Sequence, residues 1–365
     1  MKPLNPGMTL GIIGKGNQLQ QLADAARRTD LKVLLYPTST SEHPHSLTDA
    51  DLLHAFAEQS DVTTAITEPV PLVSLKTIAT GSEFSQGTEL TEISQDRALE
   101  QAFFQSLNLN GVPFSTIITT SDVEQGIDTL GLPARIIPIS KRSANQQPLD
   151  LKTKNDVVKF NPLTGHGSYL FIPDLPVKHH LVASATKSVQ GKIESFPLVQ
   201  INQPGRSFTS LPEDNKLISP DVQMEIETTM QKIGEALHVV GNFAVSLLVT
   251  TTDILYVQGL LPALDLPMNV LQRGLNTTPA EQHLRAIRGL PLTPIHQFQS
   301  ERWLSLTKSQ RAAALEAQRQ YPDWDFDFSY RDDNPGTIGD VCIPVYEPAL
   351  TNDRIQRAKL LPHEE

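Results

Sequence analysis

At 365 residues, 39% hydrophobic and 19% charged, the chain is long enough for two or three domains, each with a core of its own. A formal net charge of −11 gives an average field that repels nucleic acid and anionic membrane rather than attracting them. The single cysteine, Cys342, excludes an intrachain disulfide and any cysteine-ligated zinc or iron–sulfur centre. With no signal-peptide core and no run of ~20 apolar residues, a cytoplasmic location is expected.

Met8 to Ile13 is a short apolar run, suited to a strand buried on both faces. Gly14-Lys15-Gly16 then gives a tight turn. After it Leu19, Leu22, Ala23 and Ala26 fall at i, i+3, i+4 and i+7, predicting a helix with one apolar stripe. Lys32 to Tyr36 follows as a second strand, so the first strand is expected at the centre of a parallel sheet. Two readings of the turn stay open on this stretch alone. It seats a phosphate on the N–H groups of the helix start, or it only packs helix on sheet. A dinucleotide site is disfavoured, because Leu19 replaces the third glycine of GxGxxG and no carboxylate follows the second strand.

Ala50 to Gln59 reads as a helix, Asp61 to Ile66 as a strand, and Ser94 to Leu107 as a helix turning Phe103, Phe104 and Leu107 inward. Ser121 to Glu124 reads as a capping box opening a helix that Gly131 closes. The middle of the chain alternates short β-like runs, Ala134 to Ile139, Tyr169 to Ile172 and Phe196 to Ile201, with polar stretches such as Lys141 to Lys154. Ser219-Pro220 starts a long helix with Val222, Ile226, Met230, Ile233 and Leu237 on its apolar face. Two strands follow, Asn242 to Val249 and Ile254 to Leu261. They are joined by a turn in which Asp253 is a turn residue rather than a ligand. Thr278-Pro279-Ala280-Glu281 caps a further helix ending at Gly289. One helix near Lys308 to Arg319 and a β-like tail complete the pattern. His179 and His180 point apart on a strand, which favours the surface over a metal site. Asp323, Asp325 and Asp327 alternate without the glycine or closing glutamate of a calcium loop. Trp303 and Trp324 are expected in a core or interface.

These landmarks resemble the ATP-grasp family, and within it the 5-(carboxyamino)imidazole ribonucleotide synthases of purine biosynthesis. Gly11 to Arg28 aligns without gaps to the family's GIIGGGQLGRMLALAAKR opening, and Asp61 to Leu75 follows its DVVTYEFENVPxxxL stretch. Gln95-Asp96-Arg97 with Glu100 and Phe103-Phe104 matches QDRxxEKxFL. Phe196 to Val199 matches FPLVE, and Val240-Gly241 with Ala244-Val245 matches VGxxAVEFF. Glu281 to Ala286 with Gly289 to Leu292 matches EQHLRAxxGLPL. The resemblance implies an α/β chain with an α+β middle. Its expected parts are an N-terminal open α/β domain (1–115), a central ATP-grasp-like domain (116–292) and a small C-terminal β-rich domain (293–365).

It also implies an activity, in which ATP and bicarbonate give carboxyphosphate and carbon dioxide reaches the amine of aminoimidazole ribonucleotide. That chemistry needs a phosphate-holding lysine and glycine loop, two magnesium carboxylates and a basic pocket for the ribonucleotide. The positions that should supply them have changed. Ile137 stands where the resemblance puts the phosphate lysine, and Ser140 to Gln147 replaces the glycine loop without one glycine. Lys141 is expected as a solvated surface residue rather than a substitute. Ser246 and Gly259 stand at the two magnesium carboxylate positions, where neither offers a charge. Ala263 to Met268 has replaced the substrate-binding RPHNSG segment, and the late arginine–lysine pair is gone from Asn334 to Asp340. What survives is a phosphate- or substrate-binding remnant of Gly14, Lys15, Gly16, Glu68 and Arg97.

The losses fall on charged functional positions while framework motifs persist. No metal and no cofactor are therefore expected, although the family uses ATP and Mg²⁺. The leading function is a catalytically inactive paralogue acting as a binding or regulatory protein. Its expected state is a homodimer or a heterodimer with a related synthase, with neither nucleic acid nor membrane as partner. One alternative is an active ATP-dependent carboxylase or related ligase with relocated ligands. Another is a small-molecule sensor that keeps the turn at Gly14-Lys15-Gly16 for a phosphate ligand.

Overall fold

The computed structural model describes residues 3–38, 49–66, 70–141, 147–261, 266–328 and 336–361. The first strand, Thr9–Gly14, lies between Lys32–Pro37 and Val62–Ala65 and pairs parallel with both; Glu83–Phe84 completes a 4-stranded sheet. Leu10, Ile12 and Ile13 are buried, as a strand covered on both faces requires. Helix Gly16–Arg27 buries Leu19, Leu22, Ala23 and Ala26 against it, the four positions of the predicted stripe. Helix Leu72–Gly81 was not anticipated. Its apolar residues run around the helix, leaving Val73 exposed, so no single stripe marks it.

The helix expected over Ser94 to Leu107 is two helices, Glu89–Gln95 and Arg97–Ser106. Asp96 breaks them apart: its backbone is extended, and its carboxylate accepts from the N–H groups of Ala98 and Leu99, capping the second helix. The capping box placed at Ser121 lies instead at Thr119. The hydroxyl of Thr119 accepts from the Asp122 N–H while the Asp122 carboxylate accepts from the Thr119 N–H. Gly131 closes that helix as expected, at φ +88°.

A second, 4-stranded sheet runs in the order Ser115–Ile117, Tyr169–Pro173, Ala134–Pro138, Leu149–Leu151. The third has nine strands. From one edge it runs Leu255–Leu261, Gly241–Thr250, Val177–Lys187, Val199–Gln203 and Ser207–Ser210. It continues through Glu301–Thr307, Thr337–Pro344 and Asp325–Asp327, with Ile193–Ser195 added beside Val177–Lys187. The C-terminal strands thus extend the central sheet. Helix Pro220–Ala236 covers it with Val222, Ile226, Met230 and Ile233, and Leu237 is buried just past its end. A final helix, Pro348–Arg357, lies in the tail that read as β-like. Trp303 stacks on Phe208 in the core, and Trp324 stacks on Tyr321. Asp253 takes φ +58° in the turn of its hairpin. His179 departs from its surface reading and is buried at 8% exposure, whereas His180 is exposed.

The segment from Thr278 to Thr293 locks the first sheet to the large one. Thr278 and Glu281 form a reciprocal capping box. Gln282 donates to the Thr293 carbonyl and accepts from its N–H. His283 is wholly buried. Its Nδ1 accepts from the Asn242 N–H, so Nε2 carries the proton and donates to the Thr64 hydroxyl, which in turn donates to Gln86. Burial holds the imidazole neutral, with its pKa pushed down to about 4. Gly241, at φ +113°, lies against the His283 ring, and a Cβ there would overlap the imidazole.

Candidate functional site

A cleft of about 740 Å³ opens between the small sheet and the large one. Arg97 and Glu100 come to it from the helix that Asp96 caps, and Ile137 from the small sheet. His180, Ser246, Gln258 and Gly259 come from the large sheet. The strand pairing explains why Ser246 and Gly259 meet. They sit directly opposite on neighbouring antiparallel strands, the placement that would let two carboxylates share one cation. A bulge beside this pair makes Gln258 the extra residue, and the Ser246 hydroxyl donates to its Oε1 at 2.7 Å.

Lys141 is not a solvated surface residue. Its ammonium enters the cleft and pairs with Glu100 at 2.6 Å; the glutamate side chain is 1% exposed and the lysine side chain 26%. Glu100 also accepts from the Leu260 N–H at 2.7 Å. Burial is the largest influence on both groups, raising the glutamate pKa and lowering that of the lysine, while the ion pair opposes it. A Cβ built on Gly259 would lie 3.2 Å from the Lys141 ammonium and 3.3 Å from the Glu100 carboxylate. The pair therefore fills the space into which a longer side chain at 259 would extend. Arg97 donates to the Pro138 carbonyl at 2.8 Å, and its backbone N–H bonds Ile139, tying its helix to the small sheet.

A magnesium ion does not fit between Ser246 and Gly259. Its positive position is already taken by a lysine ammonium. The remaining side-chain oxygens of the Ser246–Gln258 pair are neutral and bonded to each other. Among the described residues, no group of three or more His, Cys, Asp or Glu side chains is placed to hold a metal.

Gly14, Lys15 and Gly16 are elsewhere, at the C-terminal end of the first strand, and do not line the cleft. Gly16 takes φ +68° as the helix begins. Beside it, the Asn17 amide donates to Asp327 at 3.0 Å, so a carboxylate from the C-terminal strand stands at this helix N-terminus. Asp327 in turn lies opposite Asp340, which is buried and has its pKa pushed up to about 7, first by burial and then by Asp327. Glu68 lies outside the described residues, as do Ala263 to Asp265 and Asn334-Pro335. The structure thus separates the sequence-derived residues. Arg97, Ile137, Ser246 and Gly259 share the cleft, and the glycine turn stands apart from them.

Sequence reasoning gave Glu100 no role of its own and overlooked Gln258. The signal for Glu100 was its place in the QDRxxE match. Gln258 had none, because the bulge that places it at the cleft is a backbone feature.

No family profile matches the chain. Its sequence is 27% identical over 300 residues to the N5-carboxyaminoimidazole ribonucleotide synthase of Bacillus subtilis strain 168, covering 79% of this chain and 78% of that one. It is 24% identical over 268 residues to the enzyme of the same name from Staphylococcus aureus strain COL, covering 70% of each. The crystal structure of the Staphylococcus aureus N5-carboxyaminoimidazole synthetase superposes with a TM-score of 0.86 at 20% identity over 98% of both chains. The Aspergillus clavatus synthase, solved with ADP and the aminoimidazole ribonucleotide, superposes at 0.81 and 16% identity, covering 96% of this chain and 97% of that one. Among the described residues no helix is long and apolar enough to cross a membrane. The chain has the ATP-grasp fold, and its sequence and structure resemble those of N5-carboxyaminoimidazole ribonucleotide synthases over most of its length.

Proposed function

We propose that this protein is a synthase relative from purine biosynthesis that has lost turnover and acts through binding, as a dimer with itself or with a related synthase. The observation that carries this reading is the Lys141–Glu100 pair. A fixed internal ammonium stands beside Gly259, where the resemblance expects a carboxylate for magnesium. Removing one electrostatic stabiliser typically costs ~10²–10³ in rate, and here the phosphate lysine, the glycine loop and both carboxylates are absent together. The test is steady-state ATP hydrolysis with bicarbonate and aminoimidazole ribonucleotide. The expected result is no turnover above background; a rate within tenfold of an ordinary enzyme, ~10 s⁻¹, would overturn the proposal.

One observation favours a second reading, an active ligase with relocated ligands. Glu100 is a carboxylate already inside the cleft, and it would face a cation if Lys141 swung out. Product formation in the same assay, abolished by Glu100→Gln, would support that reading.

A further inference from the structure

A separate cavity of about 440 Å³ lies at a break in the large sheet and, among the described residues, shares no lining residue with the cleft. The break falls at 197–198. Ser195 pairs with Ala185 on the long strand, the Phe196 N–H still bonds the Ser184 carbonyl, and Val199 pairs with Val182, while the chain between Phe196 and Val199 leaves the ladder. Helix Pro220–Ala236 closes one side, and the segment carrying Ile295 and Gln297 closes another. Phe196, Leu198, Ile226 and Met230 supply apolar wall.

Two polar atoms in this lining lack partners among the described residues. Ser184 is 1% exposed and its hydroxyl makes no hydrogen bond. The Gln297 amide nitrogen reaches Ser210, Gln299 and Ser300, but its Oε1 is buried with nothing to accept from. Burying such groups unsatisfied is unfavourable, and native structures generally pair them. Among the described residues, the charged members of the lining are Glu213 and Glu227, with no lysine, arginine or histidine. The volume falls in the ~300–1,000 Å³ range of small-molecule sites.

We infer that this cavity is a binding site for a small organic cation, an ammonium or guanidinium joined to an apolar group. The apolar part lies against Phe196 and Met230, donors meet Gln297 Oε1 and Ser184, and the positive charge faces Glu213 and Glu227. A cation also suits the net charge of −11. The inference stands independently of the proposed loss of turnover, because no residue is common to the two sites.

The test is calorimetric titration of the full chain with phenethylammonium, using 2-phenylethanol and 3-phenylpropionate as neutral and anionic matches. Phenethylammonium should bind the most tightly of the three. Paired Glu213→Gln and Glu227→Gln substitutions, both at the surface of a folded frame, should weaken it about three- to tenfold, as expected for exposed carboxylate–ammonium contacts. Ser184→Val, which removes the hydroxyl and narrows the space, should weaken it further, whereas Lys141→Met should leave it unchanged. Equal binding of all three probes, or indifference to the glutamate substitutions, would overturn the inference. If Ser184→Val does not fold, a crystal soak of the wild-type chain decides: probe in the cavity supports the site, and water alone on Gln297 and Ser184 refutes it.

Discussion

Substituting Lys141→Met should reveal how strongly the cleft depends on its internal cation. The methionine keeps much of the lysine stem and removes the charge, leaving Glu100 at 1% exposure with the Leu260 N–H as its remaining close hydrogen-bond partner among the described residues. Breaking a fully buried ion pair by removing one member costs about 3–5 kcal/mol. The Lys141 side chain keeps 26% of its surface exposed, so part of the interaction is already screened and about 2–3 kcal/mol is expected. At ~2–4 °C per kcal/mol, the melting temperature should fall by roughly 4–12 °C. The loss should depend on pH. Without the ammonium, burial raises the Glu100 pKa in the fold further above its unfolded value, so the folded state takes up a proton on acidification that the unfolded state does not. Stability then falls as pH rises through that window, and the deficit against wild type should be larger at pH 8 than at pH 5. The paired substitution Glu100→Gln with Lys141→Met should recover most of the loss, because a neutral amide can still accept from Leu260. Scanning calorimetry of the three proteins measures all of this. A Lys141→Met protein as stable as wild type at pH 8 would refute the reasoning.

Three further outcomes are expected. Millimolar ATP with magnesium should give no magnesium-dependent rise in melting temperature, whereas a site holding ATP at a hundredfold excess over its Kd would gain about 2.7 kcal/mol; a clear rise in thermal-shift assays would mean the ligands have moved. Gly241→Ala should destabilise by more than the ~1–3 kcal/mol of backbone strain alone, because its Cβ would overlap the buried His283 ring; urea denaturation showing less than 1 kcal/mol would contradict the packing. Asp340, with a folded pKa near 7 against an unfolded value near 4, holds a proton in the fold that the unfolded chain releases. Stability should therefore decline as pH rises from about 4 to 7, and Asp340→Asn should flatten that decline in melting scans.

Much of this fold is legible in the sequence where a single period dominates. The first strand and its helix, the long helix with Val222 to Leu237 inward, and the Thr278–Glu281 box follow from apolar spacing and capping chemistry. The misses have local causes. Asp96 looked like a helix interior residue and is a cap, since an aspartate can serve either way until its N–H partners are known. Thr119 and Ser121 each have a carboxylate three residues on, Asp122 and Glu124, so spacing alone does not choose between them, and the folded chain pairs Thr119 with Asp122. Strand alternation says that His179 and His180 point apart, but not which of them faces inward. The cleft was half legible. Resemblance located Ile137, Ser246 and Gly259, yet Lys141 lies four positions from the expected lysine, and only the folded chain shows it reaching Glu100.

The large sheet is assembled out of chain order, and this bears on how the protein is made. Ser207–Ser210 pairs on its outer side with Glu301–Thr307, so during translation its open edge has no partner until that later strand leaves the ribosome. At ~5–20 residues per second, the roughly one hundred intervening residues take about 5–20 s to synthesise. A nascent sheet with an open edge can recruit another chain in that interval. The exposed strand is short and reads Ser-Phe-Thr-Ser, with one large apolar residue, a composition that lowers this hazard. A ribosome stalled before residue 301 would hold the chain in this open-edged state, and chaperone engagement should peak there.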